Sequence, residues 1–247
     1  MLRKIGLGVM GGWILMGAIS KVEAREYLVS QGYFTAERGE CEVEFYNDMN
    51  LSDLGNDGTY HSQHQIEFEY GVTDHLQVAY YEVYTWDRSK DWERDALKVE
   101  AKLRFAEAGK WPVDVALYTE YKNPNGPREI RSDEFENKMI LSKDFGPWNV
   151  VGNVVFEKKI NTQSHWEYEY TAAVSYGMTP KTRLAIEVQH ELGDSGDFGF
   201  DRDRKLYVIP AVYTTLTPHV RLLAGPAFGL SRGSDDVQFK SIMEVEF

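Results

Sequence analysis

The chain of 247 residues contains a single cysteine, Cys41, so it cannot form an internal disulfide. After its first two dozen residues it has no apolar run long enough for a membrane-spanning helix. Positive charge is scarce too: 27 Lys and Arg stand against 39 Asp and Glu, a net charge of −12. That balance argues against nucleic acid as a partner, because a phosphate backbone attracts basic surfaces. By average hydropathy the chain resembles a soluble protein.

The beginning differs from the rest. Arg3 and Lys4 precede the apolar stretch IGLGVMGGWILMGAI, and VEA ending at Ala24 puts small residues where a signal peptidase reads. Residues 1–24 are therefore expected to be a cleaved secretory signal peptide. The alternative, a membrane anchor, is disfavoured because fifteen residues with five glycines fall short of the ~20 needed to span a bilayer. No cysteine follows the cleavage point to carry a lipid. The expected mature domain, 25–247, keeps 38 acidic and 24 basic residues.

An average over a window hides a surface that alternates. At period two the mature chain resolves into twelve candidate strands: 38–47, 62–71, 75–86, 95–106, 112–122, 134–145, 148–159, 166–176, 182–192, 204–216, 219–230 and 236–247. In ALKVEAKLRF, for example, Leu97, Val99, Ala101, Leu103 and Phe105 alternate with Lys98, Glu100, Lys102 and Arg104. Each segment is about as long as the 9–11 residues with which a tilted strand crosses hydrocarbon.

The connections alternate as well. Short links such as GVTDH, DFGPW and LTPH take turns with longer polar ones such as KNPNGPREIRSD and GDSGDFGFDRD. Short turns at one end, long loops at the other and an even strand number predict an antiparallel transmembrane β-barrel of the bacterial outer membrane, with both termini periplasmic. Trp86, Trp111, Trp148, Trp166 and Phe247 fall at strand ends, where two aromatic girdles would sit. A soluble sandwich, the alternative, would want its tryptophans in mid-strand.

The last stretch, SIMEVEF, continues the alternation to the final residue, as expected if this strand pairs with the first. A terminal phenylalanine after alternating apolar residues resembles the signal by which barrel-assembly machinery recognises its clients, which implies that partner. The stretches RGECEVEFYND and YHSQHQIEFEYGVTDHLQVAYY resemble the opening hairpins of an uncharacterised family of Gram-negative outer-membrane barrel proteins. The matching residues are Gly39, Glu42, Val43, Glu44, Glu67, Glu69, Tyr70, Gly71, Val72, Thr73 and Asp74. The resemblance implies the barrel and brings no activity with it.

In that barrel the polar parity faces the lumen. Glu40, Glu42, Glu44, Glu67, Glu69, Glu244 and Glu246 are expected to form an acidic wall across the last, first and second strands. Lys98, Lys102, Arg104, Arg183 and Arg221 are the basic lumen residues. Either the two sets create a transverse field, as in pores that orient charged solutes, or they neutralise each other in a plugged interior.

Signals for catalysis are weaker. His61, Ser62 and His64, the pair Ser164 and His165, and His190 near Ser195 are the closest approaches to a nucleophile and base, and polar loop ends account for them. Asp194, Asp197, Asp201 and Asp203 match no calcium-loop spacing. Pro210 and Pro226 are equidistant from the turn at Pro218, which predicts a bulge or weak seam.

The sequence thus predicts a channel or binding barrel for small polar or charged solutes, with outer-membrane lipid and lipopolysaccharide around it. No cofactor or metal is expected. A lipid-hydrolysing enzyme and a closed structural barrel presenting loops are the alternatives.

Overall fold

A segment whose side chains alternate between apolar and charged can satisfy both faces only if one meets lipid and the other meets water or countercharge. The structure, a computed structural model, describes residues 27–51, 60–87, 90–125, 132–160 and 163–247. The expected signal peptide lies outside them. The strands are β1 Cys41–Leu51, β2 Tyr60–Thr73, β3 Leu76–Asp87, β4 Lys90–Arg104, β5 Asp114–Pro124, β6 Glu134–Phe145, β7 Trp148–Lys159, β8 Glu167–Thr179, β9 Thr182–Asp194, β10 Asp197–Phe198, β11 Leu206–Thr217, β12 Val220–Gly229 and β13 Val237–Glu246.

β10 is a two-residue pairing on the end of β9; the other strands build the wall. Each wall strand pairs antiparallel with its neighbours in sequence, β9 reaches past β10 to β11, and β13 pairs with β1. The result is a closed barrel of 12 antiparallel strands. All the expected segments are strands, and the largest shift is at β4, which starts at Lys90. Closure uses the last residue, because the Phe247 amide donates to the Cys41 carbonyl at 2.9 Å.

The faces are inverted relative to a soluble protein. In β2, Glu67 and Glu69 point inward and are 0% and 7% exposed, whereas Phe68 and Tyr70 point outward at 51% and 47%. The same inversion holds along β9, where Glu187 is buried and Ile186 exposed. Trp111 and Trp148 lie at the short-turn end, and Trp86, Trp92 and Trp166 at the loop end.

The proline expectation resolves into a seam without a bulge. The β11–β12 ladder pairs Val208 with Phe228 and Val212 with Ala224 in one register, and the rungs between them, where Pro210 and Pro226 face each other, are missing. The register shift in this hairpin lies elsewhere, between Thr215 and Thr217. Behind the seam the wall is packed, with Ile209, Ala211 and Ala227 at 0–4% exposure, so it offers no lateral path as the chain stands.

The core sits inside the barrel and was not foreseen. Residues 27–40 precede β1, show no alternation, and fold up into the lumen from the short-turn end. Tyr27, Leu28 and Tyr33 pack against inward residues that include Tyr118, Ile140, Val151 and Ile209. The segment then leaves through a tight turn onto β1. There Gly39 adopts φ 86° and donates to the Gly71 carbonyl at 2.8 Å. A side chain at Gly71 would meet the Glu37 carbonyl at 1.9 Å. The two glycines of the family-like motif are thus the points where the segment turns onto the wall.

Candidate functional site: a charged lumen floored by the N-terminal segment

Register brings the acidic wall together in two rows. Glu246, Glu42 and Glu69 lie side by side across β13, β1 and β2, with Glu244, Glu44 and Glu67 in the next inward row. Glu40 stands apart: its carboxylate accepts the Glu37 amide at 2.6 Å and closes the turn before β1. Carboxylates removed from water need compensation. Arg221, next to Glu244 on β12, binds Glu244 and also reaches Glu42 at 3.4 Å. The Tyr46 hydroxyl lies 2.6 Å from Glu44 and 2.8 Å from Glu67, and its one proton is shared between them. In each of the triads Glu42/Glu44/Glu244 and Glu44/Glu67/Glu69 the oxygens lie within 4.8 Å of one another, close enough to share a cation.

The opposite wall is not purely basic. A second acidic row, Glu100, Glu120, Glu136, Glu157 and Glu167, runs unbroken across β4 to β8. On β4 to β7 its carboxylates have a cation two residues away along the strand, giving Lys98–Glu120 at 3.3 Å and Lys138–Glu136 at 3.0 Å, and Lys122–Glu134 at 2.8 Å beside them. Sequence reading missed this row because alternation shows which face a residue takes, and only register shows what stands beside it. Lys102 is buried in the same wall, and Arg104 donates to the Asp74 carbonyl at its foot. Arg183 braces the short-turn end through the Ser175 hydroxyl at 2.9 Å. Both readings of the lumen therefore meet in one structure: acid lies on two sides, and most named cations are paired.

The N-terminal segment is held by inward polar residues that attracted no attention in the sequence. Glu187 receives three successive amides, from Leu28 at 2.7 Å, Val29 at 3.0 Å and Ser30 at 3.1 Å, and the Tyr213 hydroxyl at 2.7 Å. Asn153 accepts the Gln31 amide at 2.6 Å and donates to its carbonyl at 3.0 Å. Gln77 accepts the Ala36 amide at 2.8 Å, and Tyr27 donates to Asn149. The segment thereby crosses from β7–β9 to β3 and narrows the short-turn half of the bore. One sequence signal was available: an aromatic-rich, non-alternating stretch just before the first strand.

Above this floor lies a polar hollow of about 200 Å³, bounded below by Tyr27–Gln31 and walled by residues such as Tyr46, Tyr118, Lys98 and Glu120. A second hollow of about 310 Å³ adjoins it through Glu136 and Glu157 and is walled by Glu167, Glu169 and Glu191.

The candidate nucleophile–base groups sort clearly. Ser164 donates to the Lys159 carbonyl at 3.0 Å, and His165 pairs with Asp194 at 3.1 Å. His61 lies 2.7 Å from the Asn50 amide nitrogen. Ser62 and His64, both on the outward parity of β2, do form an array: Ser62 Oγ is 2.9 Å from His64 Nε2, and His64 Nδ1 is 2.9 Å from Asn47 Oδ1. The loop aspartates are used internally, Asp194 by the Gly196 and Asp197 amides and Asp201 by the Asp203 amide.

No family model matches the chain, and no curated protein is similar to it in sequence. Among solved structures it is similar to the COG4313 outer membrane channel from Pseudomonas putida F1, with a TM-score of 0.63 at 14% identity over 89% of this chain and 100% of that one. It is also similar to the KdgM porin, with a TM-score of 0.61 at 7% identity over 83% and 99%. The KdgM porin in complex with disordered oligogalacturonate gives 0.56 at 8% identity over 83% and 98%. At these identities the likeness is one of fold.

Proposed function

We propose that this protein is an outer-membrane channel or binding barrel for small polar or charged solutes, exported by its signal peptide and oriented with its short turns in the periplasm. The observation that carries the reading is the charge-lined hollow above residues 27–31, whose walls hold carboxylates on two sides. A field of that sign concentrates cations. The likeness in fold to the Pseudomonas putida F1 channel and the KdgM porin supports the same reading.

The test is single-channel current in a planar bilayer, with the reversal potential read under a salt gradient. Small, cation-selective conductance from the wild type is expected, with larger steps once residues 27–36 are deleted. Silence from both folded proteins would refute a channel.

A second reading, a lipid-hydrolysing enzyme, rests on the Ser62–His64–Asn47 array. With the Asn47 oxygen accepting, His64 carries its proton on Nδ1 and presents a free Nε2 to the Ser62 hydroxyl, the tautomer a general base needs. Ser62 would attack an ester carbonyl, and His64 would pass the proton to the leaving alcohol before water releases the acyl group. Ser62 is only 3% exposed, which places this reading second. Covalent labelling by a fluorophosphonate probe, lost in Ser62→Ala, would support it; an unlabelled folded protein would dispose of it.

A further inference from the structure

The outer face of the barrel carries a cavity at its loop end that the lumen does not explain. Tyr170, His190, Leu206 and Leu230 share the outward parity with lipid-facing residues such as Ile186 and Val212. Together they back a crevice of about 670 Å³. Two loops overhang it. From residues 195–205 come Phe200, Asp201 and Arg202, and from the loop after β12 come Ser231 and Arg232.

The crevice is built rather than incidental. The Arg204 guanidinium binds the carbonyls of Leu192, Asp197 and Gly199 and pairs with the Asp197 carboxylate at 3.0 Å, so the first loop is pinned to its own base. The Arg232 amide donates to the Arg202 carbonyl at 2.8 Å and joins the two loops. Phe200 lies flat on His190, with centroids 5.1 Å apart and planes 13° apart.

Three unsatisfied features face this space. The guanidiniums of Arg202 and Arg232 have no hydrogen-bond or ion-pair partner among the described residues, although both line one crevice. The His190 side chain is buried at 4% exposure, and its Nδ1 has no partner. Leu230 and Phe200 are 61% and 82% exposed at the rim. Paired guanidiniums match a phosphate, whose oxygens accept bidentate donors. The apolar backing matches an acyl chain.

Depth supplies the rest. His190 lies about eight residues above the β8–β9 turn, or roughly 20 Å for a strand tilted by some 40°. That is near the upper edge of the apolar band, where headgroups begin.

We infer that this crevice binds a phosphorylated lipid of the outer leaflet, with its phosphate between Arg202 and Arg232 and an acyl chain against Tyr170, Leu206 and Leu230. The inference uses the orientation given above, with the loops outside. It does not depend on conduction.

The test is native mass spectrometry of the full mature protein in detergent with three probes: bis-phosphorylated lipid A, the same lipid without phosphates, and inorganic phosphate. One bound copy of the phosphorylated lipid is expected. Retention should fall about tenfold in R202A/R232A, and Lys181→Ala at the opposite end should match the wild type. Phosphate-free lipid bound equally well, or an unchanged double variant, would overturn the site. Binding of inorganic phosphate as tight as that of the lipid would overturn the lipid assignment. Heat-modifiable mobility on gels checks folding, and Leu230→Glu, which removes the apolar backing alone, serves if the double variant does not fold. Protease access to residues 195–205 on intact cells reports the orientation separately.

Discussion

Glu187 on β9 accepts the amide of Leu28 at 2.7 Å, a contact between residues far apart in sequence, made wholly inside the barrel. With the Val29 and Ser30 amides on the same carboxylate, it is the principal polar anchor of the segment that narrows the bore. Hydrogen bonds to a charged acceptor contribute roughly 1.5–3 kcal/mol each. Glu187→Ala should therefore release the segment while leaving the wall intact. Single-channel steps several-fold larger than wild type are the expected result, and unchanged conductance from a folded variant would show that the segment does not set the bore.

Gly71 makes a second, steric point. A methyl group there would overlap the Glu37 carbonyl, so Gly71→Ala should push the chain off the wall where it turns into β1. Gly152 is the matched control, since a side chain there has its nearest neighbour at 4.0 Å. Gly71→Ala should lower the temperature at which the folded band is lost on gels and expose residues 27–40 to protease. Gly152→Ala should do neither.

Arg221 stands between Glu42 and Glu244, which are both 2% exposed. Removing one partner of a buried ion group costs on the order of 3–5 kcal/mol, because the remaining charge loses its compensation. Arg221→Met should destabilise the barrel by about that amount and shift the reversal potential toward stronger cation selectivity. A shift toward anions would show that the acidic wall does not govern permeation.

At the proline seam, the two residues whose backbone nitrogens face across the β11–β12 boundary are Pro210 and Pro226, which have no amide hydrogen to form the missing rungs. Hydrogen exchange should be faster at Val208 and Val212, whose rungs flank the gap, than at Ile209 and Ala211, whose amides face the intact β9 ladder. Uniform protection along both strands would contradict the gap.

How much of this was legible follows from what period two can encode. Phe68 between Glu67 and Glu69 declares a two-faced strand, and a dozen such segments with alternating loop lengths lead to a closed barrel. The partnership of Glu100 with Glu120 and Glu136 needs three strands in register, which no single strand states. The path of the segment around Tyr27 and Tyr33 was not legible for a different reason. It takes its shape from Glu187, Asn153 and Gln77 on distant strands, and it has no periodic pattern of its own. The pairing of Pro210 with Pro226 could be foreseen because a tight turn fixes the register of its own hairpin.

The bond from the Phe247 amide to the Cys41 carbonyl joins the two ends of the wall. The ring cannot close before β13 is in place, because β13 is the strand that pairs with β1. Up to that moment β1 and β13 are open edges that would pair with any strand offered to them. Loop-closure entropy makes so distant a pairing slow. The segment before β1 is already tethered at the mouth it will fill, so it needs no threading and can enter once the ring is complete. The floor of the lumen is held by Glu187, Asn153 and Gln77 on three separate strands, so it takes its shape only where those strands stand together in the ring.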